Sequence, residues 1–410
     1  MPDRTDGGLV VVGSGPAGLA AVRSFRERDP DSPVTMITED PHPPYARPPL
    51  TKDFLQGASD LDELWLTDPG WLDEQQIRLL RATSVVSLDL RRRTVITGTG
   101  TAVPYGVVVL ATGSEPVRLP VPGGDHPELI YVRDLTSGHR LRDLAERRPG
   151  RVAVLGSGFI GCEAAASLAT RGLDVVLISD EEIPHSARLG ADAGREVHRW
   201  LRDAGVDTVL GSPVSSITGT RQGFELELDG GRRLGVAAVV VGGGARPALA
   251  LAEDAGLRIE NGGVQVDASL RTADPHVFAV GDIACARNTA ADRRLRVEHW
   301  GDAETHGEIA GAVAAGDSRT WDDPPGFWST IGDRTLKYSA WGDGHDGWVF
   351  TGGPDRWSVW FRSGDELCGV LTHADDDAYE LGQQLLGRRA SFDEAVAGRT
   401  GSAGSTGRFG

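Results

Sequence analysis

A chain of 410 residues is too long for one compact core, so two or three domains are expected. Its net charge of −17 argues against a general nucleic-acid binder, which needs a basic surface. Three cysteines are too few for a disulfide framework and suit a reducing, cytoplasmic setting, and no apolar run approaches the roughly 20 residues of a membrane span.

The start, MPDRTDGG, is polar and acidic, with no apolar signal segment. LVVV (9–12) reads as a buried parallel strand. GSGPAG follows with Gly13, Gly15 and Gly18, then a helical stretch, then the strand VTMIT ending at Glu39. Glu39 lies 21 residues after Gly18, where a dinucleotide fold places an acid on the adenosine ribose. The glycines permit a tight turn and let a pyrophosphate approach the helix N-terminus, whose free N–H groups and dipole favour anions. The same grammar returns in RVAVLGSGFIGCEAAASLATRGLDVVLIS, with Gly156, Gly158 and Gly161. Two such units suggest two nucleotides face to face, one a prosthetic group and one a diffusing substrate.

Five further motifs occur in order: PYARPPLTKDFL from 44, VVLATGSEP from 108, VVVGGGARP from 239, DPHVFAVGDIA from 274 and VEHWGDAETHG from 297. With the two glycine units they resemble the flavoprotein disulfide-reductase superfamily. Within it the resemblance is to the branch of NADH-dependent ferredoxin reductases serving oxygenases, which includes apoptosis-inducing factor. It spans about Leu9 to about Gly398.

The resemblance implies FAD on the first unit and NADH on the second. It makes Ala111, Thr112 and Gly113 the strand crossing beneath the FAD, and Asp282 the acceptor from the flavin ribityl chain; Asp282 also reads as a helix N-cap. It lays Arg47 and Lys52 along the isoalloxazine. Lys52 is implied near flavin N5, paired with Glu163, where a cation would stabilise reduced flavin. Trp300 matches an aromatic at the flavin–nicotinamide site. Ser179 stands where most NADH-specific members have glutamate, but Asp180, Glu181 and Glu182 follow, and no Arg or Lys appears before Arg188. A 2′-phosphate would meet three carboxylates, so NADH is expected over NADPH, with Asp180 on the ribose.

The disulfide reductases carry CxxxxC on the helix after the first acid, and peroxidase-type relatives a single cysteine there. Residues 40–60 contain none. Cys162, Cys285 and Cys368 have no CxxC or CxxxxC partner and read as small buried hydrophobes. Electrons must therefore leave the flavin for an external acceptor. No His/Cys set has metal-ligand spacing.

After Pro324 and Pro325, Trp328, Trp341, Trp348, Trp357 and Trp360 fall within 33 residues. LKYSAW, WVFTG, WSVWF and LCGVLTH read as antiparallel strands, and DDAYELGQQLLGRR as an amphipathic helix. Most of these tryptophans are expected in a core. The stretch GRTGSAGSTGRFG reads as disordered.

The expected fold class is α/β, with two Rossmann-like domains and a C-terminal α+β domain. The FAD domain takes 1–115 and 246–325, the NAD(H) domain 116–245, the C-terminal domain 326–398 and a disordered tail 399–410. The expected partner is a [2Fe–2S] ferredoxin, met by a monomer or homodimer. Arg287, Arg293, Arg294 and Arg296 crowd an expected loop beside the flavin as a candidate docking patch, or else pair with acids such as Asp292. A quinone or other small molecule as acceptor, or a redox-sensing role, stays open beside the ferredoxin reading.

Overall fold

The computed structural model describes residues 7–148, 150–342, 344–398 and 405–408. Two parallel five-stranded sheets dominate. In the first the order is Val277–Ala279, Val107–Leu110, Leu9–Val12, Val34–Ile37 and Ile77–Leu80. Every residue of Leu9–Val12 is buried, as both-face coverage of a parallel sheet requires. The helix Pro16–Arg26 follows it and packs against the late helix Trp300–Ala314. The approach is close because Gly307 and Gly311 face the first helix. A Cβ on them would lie 2.1 Å from the Ala17 carbonyl oxygen and 2.2 Å from that of Ala21. Residues far apart in sequence thus close one unit around the first glycine turn.

The second sheet repeats the plan. Its order is Asp207–Val209, Val175–Ile178, Val152–Leu155, Ala238–Val241 and Ile130–Tyr131. The helix Phe159–Thr170 follows Val152–Leu155 and buries its Ala-rich face. Between the two sheets, Ser114–Pro116 pairs antiparallel with Ala245–Pro247, so the chain leaves and returns by one two-stranded crossing.

The third unit is a six-stranded antiparallel sheet. Its order is Gly326–Ile331, Arg334–Ala340, Glu366–His373, Arg356–Ser363, Gly347–Gly353 and Ser405–Arg408. The helix Asp376–Gly387 packs on it. Trp341, Trp348, Trp357 and Trp360 are buried, whereas Trp328 is 48% exposed. The fold is α/β, with two Rossmann-like domains and a C-terminal α+β domain. No helix among the described residues is long and apolar enough to cross a membrane.

Two expectations are corrected. The tail does not lack structure throughout: Ser405–Arg408 adds an edge strand to Gly347–Phe350, whose outer backbone groups would otherwise be unpaired. The other tail residues from 399 on lie outside the described residues, as does the polar start 1–6. The arginine-rich segment after Asp282 is not a loop but a hairpin, Ala284–Asn288 with Arg293–Arg296. The Asn288 side chain accepts from the Ala291 N–H at 2.9 Å and closes its turn.

Candidate nucleotide and flavin site

The first glycine turn is shaped by collisions that side chains would cause. Gly13 has φ +113°, and a Cβ there would sit 2.1 Å from the Ala111 carbonyl oxygen. A Cβ on Gly18 would lie 2.1 Å from the Gly13 carbonyl oxygen. These two glycines are demanded by the chain itself. Gly15 is different: its Cβ would meet only the tip of Arg47, at 3.0 Å. The Ala111 N–H donates to the Val12 carbonyl at 2.8 Å, and Thr112 Oγ1 donates to the Ala248 carbonyl at 2.9 Å. The Ala111–Gly113 crossing therefore lies against the turn. Glu39 is exposed just beyond Val34–Ile37, and the neighbouring Thr38 accepts from Ser14 of the turn at 2.9 Å.

Positive charge gathers here. Arg47 Nε is buried without a hydrogen-bond partner. Its guanidinium lies over the Tyr45 ring, 5.4 Å from the centroid. Arg133 projects into the same place, since a Cβ on Gly113 would meet its Nη2 at 3.2 Å. Burial, and then the neighbouring Arg47, pull the Arg133 guanidinium below its ordinary pKa. Arg133 faces Asp282 at 3.6 Å. Two neighbouring arginines, one with an orphaned donor, beside a glycine turn at a helix N-terminus fit an anionic pyrophosphate.

Asp282 follows Gly281, whose φ of +67° swings the chain against Ala17. Its Oδ2 accepts from the Ser114 hydroxyl at 2.5 Å. It caps no helix with its side chain: the short 3-10 turn Gly281–Ile283 begins at Val280, and Asp282 is inside it. Trp300 is half-exposed and opens the helix Trp300–Ala314. Beside it, His299 Nδ1 lies 2.8 Å from Asp302 Oδ2.

The expected Lys52–Glu163 pair is present at 2.7 Å. The lysine side chain is 13% exposed and the glutamate 3%. Lys52 sits just after the 3-10 turn Pro48–Thr51, and Glu163 on the helix of the second turn. The pair therefore joins the two nucleotide units. Removing one partner of such a buried pair costs about 3–5 kcal/mol.

The second turn copies the first. Gly156 has φ +101°, and a Cβ on Gly161 would lie 2.0 Å from the Gly156 carbonyl oxygen. Gly242, from VVVGGGARP, plays the part of the crossing, because a Cβ on Gly156 would meet its carbonyl oxygen at 2.6 Å. Gly158 is open, with its nearest neighbour at 3.9 Å. Ser157 donates to Glu181 Oε2 at 2.6 Å and shares a hydrogen bond of 2.7 Å with Ser179. The Glu181 N–H donates to Ser179 Oγ at 3.1 Å, and the His185 N–H donates to Glu181 Oε2 at 3.1 Å. Glu181, 20 residues after Gly161, is thus the carboxylate held against this turn, while Asp180 is exposed and accepts, among the described residues, only from Ser179 Oγ, at 3.4 Å. Phe159 packs between His185, at 4.2 Å, and Phe327 of the third unit, at 4.7 Å.

Sequence reasoning missed Arg133, Ser114, Gly242, Thr51 and Ser329. Ser114, Thr51 and Gly242 carried a signal, since each lies in a motif already noticed, whereas Arg133 lies in none. The hairpin arginines are matched by acids: Arg287 with Asp292 at 2.5 Å, Arg294 with Glu260 at 3.8 Å, and Arg296 with Glu298. Cys162, Cys285 and Cys368 are all buried and form no disulfide. Burial raises the thiol pKa of both Cys162 and Cys285, which keeps them protonated and unreactive.

Comparison with known proteins agrees with this geometry. The chain is 34% identical over 330 residues to the ferredoxin–NAD(+) reductase component of the anthranilate 1,2-dioxygenase system of Burkholderia cepacia, covering 80% of each chain. It is 31% identical over 332 residues to rubredoxin–NAD(+) reductase of Pseudomonas putida, covering 80% of this chain and 85% of that one. A solved structure of the covalent putidaredoxin reductase–putidaredoxin complex superposes with a TM-score of 0.87 at 26% identity, over 96% of this chain and 99% of that one. The family model for pyridine nucleotide-disulphide oxidoreductases matches residues 8–307, which span both glycine turns, both crossings and the Lys52–Glu163 pair. The chain belongs to the pyridine nucleotide-disulphide oxidoreductase family.

Proposed function

We propose that this protein is a cytoplasmic flavoprotein reductase that oxidises NADH and passes electrons singly to a [2Fe–2S] ferredoxin. The observation that carries it is the Lys52–Glu163 pair, which spans the two nucleotide units with no cysteine in residues 40–60 beside it. The relatives named for ferredoxin and rubredoxin reduction support the choice of acceptor.

Arg47 and Arg133 would hold the FAD pyrophosphate against Gly13–Gly18, with Glu39 at the adenosine ribose. Asp282 would accept from the ribityl chain. Bound FAD converts a two-electron donor into single-electron deliveries. Lys52 places a cation, partly screened by Glu163, where negative charge would develop on reduction. At the second turn Glu181 replaces Asp180 as the ribose acid and disfavours a 2′-phosphate. Phe159, wedged between His185 and Phe327, would have to yield for the nicotinamide to reach the flavin side. The domain division we propose is 1–115 with 246–325 for FAD, 116–245 for NAD(H) and 326–398, joined by the edge strand Ser405–Arg408, for the third domain.

The deciding experiment is steady-state NADH oxidation with a [2Fe–2S] ferredoxin, a quinone and ferricyanide in parallel. A kcat/KM for ferredoxin above that for the quinone supports the proposal. A quinone reduced faster than any ferredoxin overturns it.

A further inference from the structure

Glu163 is a fully satisfied carboxylate. Oε2 accepts from Lys52 Nζ and from the Thr51 hydroxyl, each at 2.7 Å. Oε1 accepts from the Ser329 hydroxyl at 2.6 Å. The first two donors come from the flavin-side segment and the third from the C-terminal sheet. Ser329 is 1% exposed on the strand Gly326–Ile331, while its neighbour Trp328 faces solvent. That alternation is what a strand imposes, so Ser329 is aimed inward by register. The register is pinned by Phe327, whose ring packs on Phe159 of the glutamate's own helix at 4.7 Å and on Tyr338 of the next strand at 5.2 Å. A serine with these neighbours has one use for its proton, to donate to the carboxylate.

We propose that Ser329 is a positioning residue for the flavin chemistry, through which the C-terminal domain sets how much of the Lys52 charge the flavin feels. The physical chain is short. A buried carboxylate spreads its charge over its donors. With three donors, Glu163 draws on Lys52 only in part. Without the Ser329 hydroxyl, Oε1 is left unsatisfied and the carboxylate leans harder on the remaining cation. Lys52 is then better neutralised, and reduced flavin loses stabilisation. The C-terminal domain thereby gains a role in redox tuning that its fold alone does not suggest. The inference rests on the reading that Lys52 lies beside the flavin, and it is independent of the identity of the acceptor.

The test is an anaerobic reference-dye titration of the FAD-loaded protein and its variants. In Ser329→Ala the equilibrium constant for two-electron reduction should fall about threefold, a drop of ~14 mV at ~30 mV per decade. Ser329→Thr, which keeps the hydroxyl, should hold the native value. Glu163→Gln removes the screening charge, so its potential should rise. In the Glu163→Gln background, Ser329→Ala should then shift nothing further. An unshifted Ser329→Ala, or a shift that persists in the Glu163→Gln background, overturns the proposal. Should Ser329→Ala fail to retain flavin, Ser329→Gly gives the same comparison. An unshifted Glu163→Gln would overturn the placement of the pair beside the flavin, and the proposal with it. The ferredoxin reading would stand or fall separately, because no acceptor enters this titration.

Discussion

The two glycine turns share a backbone and differ in the charge around them. Each opens on a glycine at positive φ and closes on one whose Cβ would strike the first glycine's carbonyl oxygen, at 2.1 and 2.0 Å. Each is tied to the end of the next strand by a hydroxyl pair, Ser14 with Thr38 and Ser157 with Ser179. Yet the first turn is met by Arg47 and Arg133, and the second by the carboxylate of Glu181. Close to the second, the exposed Arg188 lies over the Phe159 ring at 5.9 Å. Backbone fits a dinucleotide in both places, and side-chain charge decides how long it stays. Arginines suit a resident FAD, and a lone acid suits a coenzyme that comes and goes.

The middle glycines break this comparison most sharply. Gly15→Val leaves the chain room to fold, since only the Arg47 tip is near, but fills the place of the pyrophosphate. Flavin content should drop at least about tenfold, read as the ratio of visible to protein absorbance. Gly18→Val should instead fail to fold, because its Cβ collides with backbone. The mirror variant, Gly158→Val, should stay fully yellow and lose kcat/KM for NADH on the order of a hundredfold. Flavin loss from Gly158→Val, or retention by Gly15→Val, would exchange the two turns.

The arginines come next. Arg133→Leu removes a charged donor worth about 1.5–3 kcal/mol, so the Kd for FAD should rise about tenfold to a hundredfold, measured by fluorescence on the deflavinated protein. NADH binding should be unchanged.

Acid sensitivity is expected on both sides. His306 is buried on the helix Trp300–Ala314, against the Trp321 ring, with both ring nitrogens unpartnered, and burial lowers its pKa to about 4. His185, beside the second turn, is lowered to about 3 by burial and then by Arg188. Both rings stay neutral in the folded protein while the unfolded chain protonates near 6.5. Between pH 6.5 and about 4 the unfolded chain therefore binds more protons, and stability falls as pH falls. Each histidine contributes about 1.4 kcal/mol per pH unit across that window. Urea unfolding at pH 7.5 and 5 should show the loss, and His306→Leu should remove its part of the slope.

The smallest effect is on coenzyme choice. Glu181→Ala removes the acid we propose for the ribose and should raise the NADPH to NADH ratio of kcat/KM about tenfold. Asp180→Ala should leave it almost unchanged, because Asp180 is exposed.

What was legible in the sequence was local or carried by a motif. The glycine spacing, the apolar strands and the Lys52–Glu163 pair all stood out, and the structure joins that pair at 2.7 Å. What was hidden depends on distant backbone. Arg133 lies in no motif, and reaches the first turn only because the chain crosses at Ser114–Pro116 and folds back. Ser329 meets Glu163 across 166 residues. That Glu181 rather than Asp180 bonds to the turn was hidden because strand alternation ends at Ile178, and the turn beyond follows no period. Of the hairpin acids that offset the arginines, Asp292 could be named from the sequence, whereas Glu260, on a separate strand, could not.

The most direct measurement is the number of NADH equivalents that fully reduce the anaerobic holoprotein, followed by loss of the flavin's visible absorbance. A flavin with no thiol relay takes two electrons, so one equivalent should complete the bleach. A requirement for two equivalents would reveal a second internal redox centre and contradict the direct route from NADH through FAD to an external carrier.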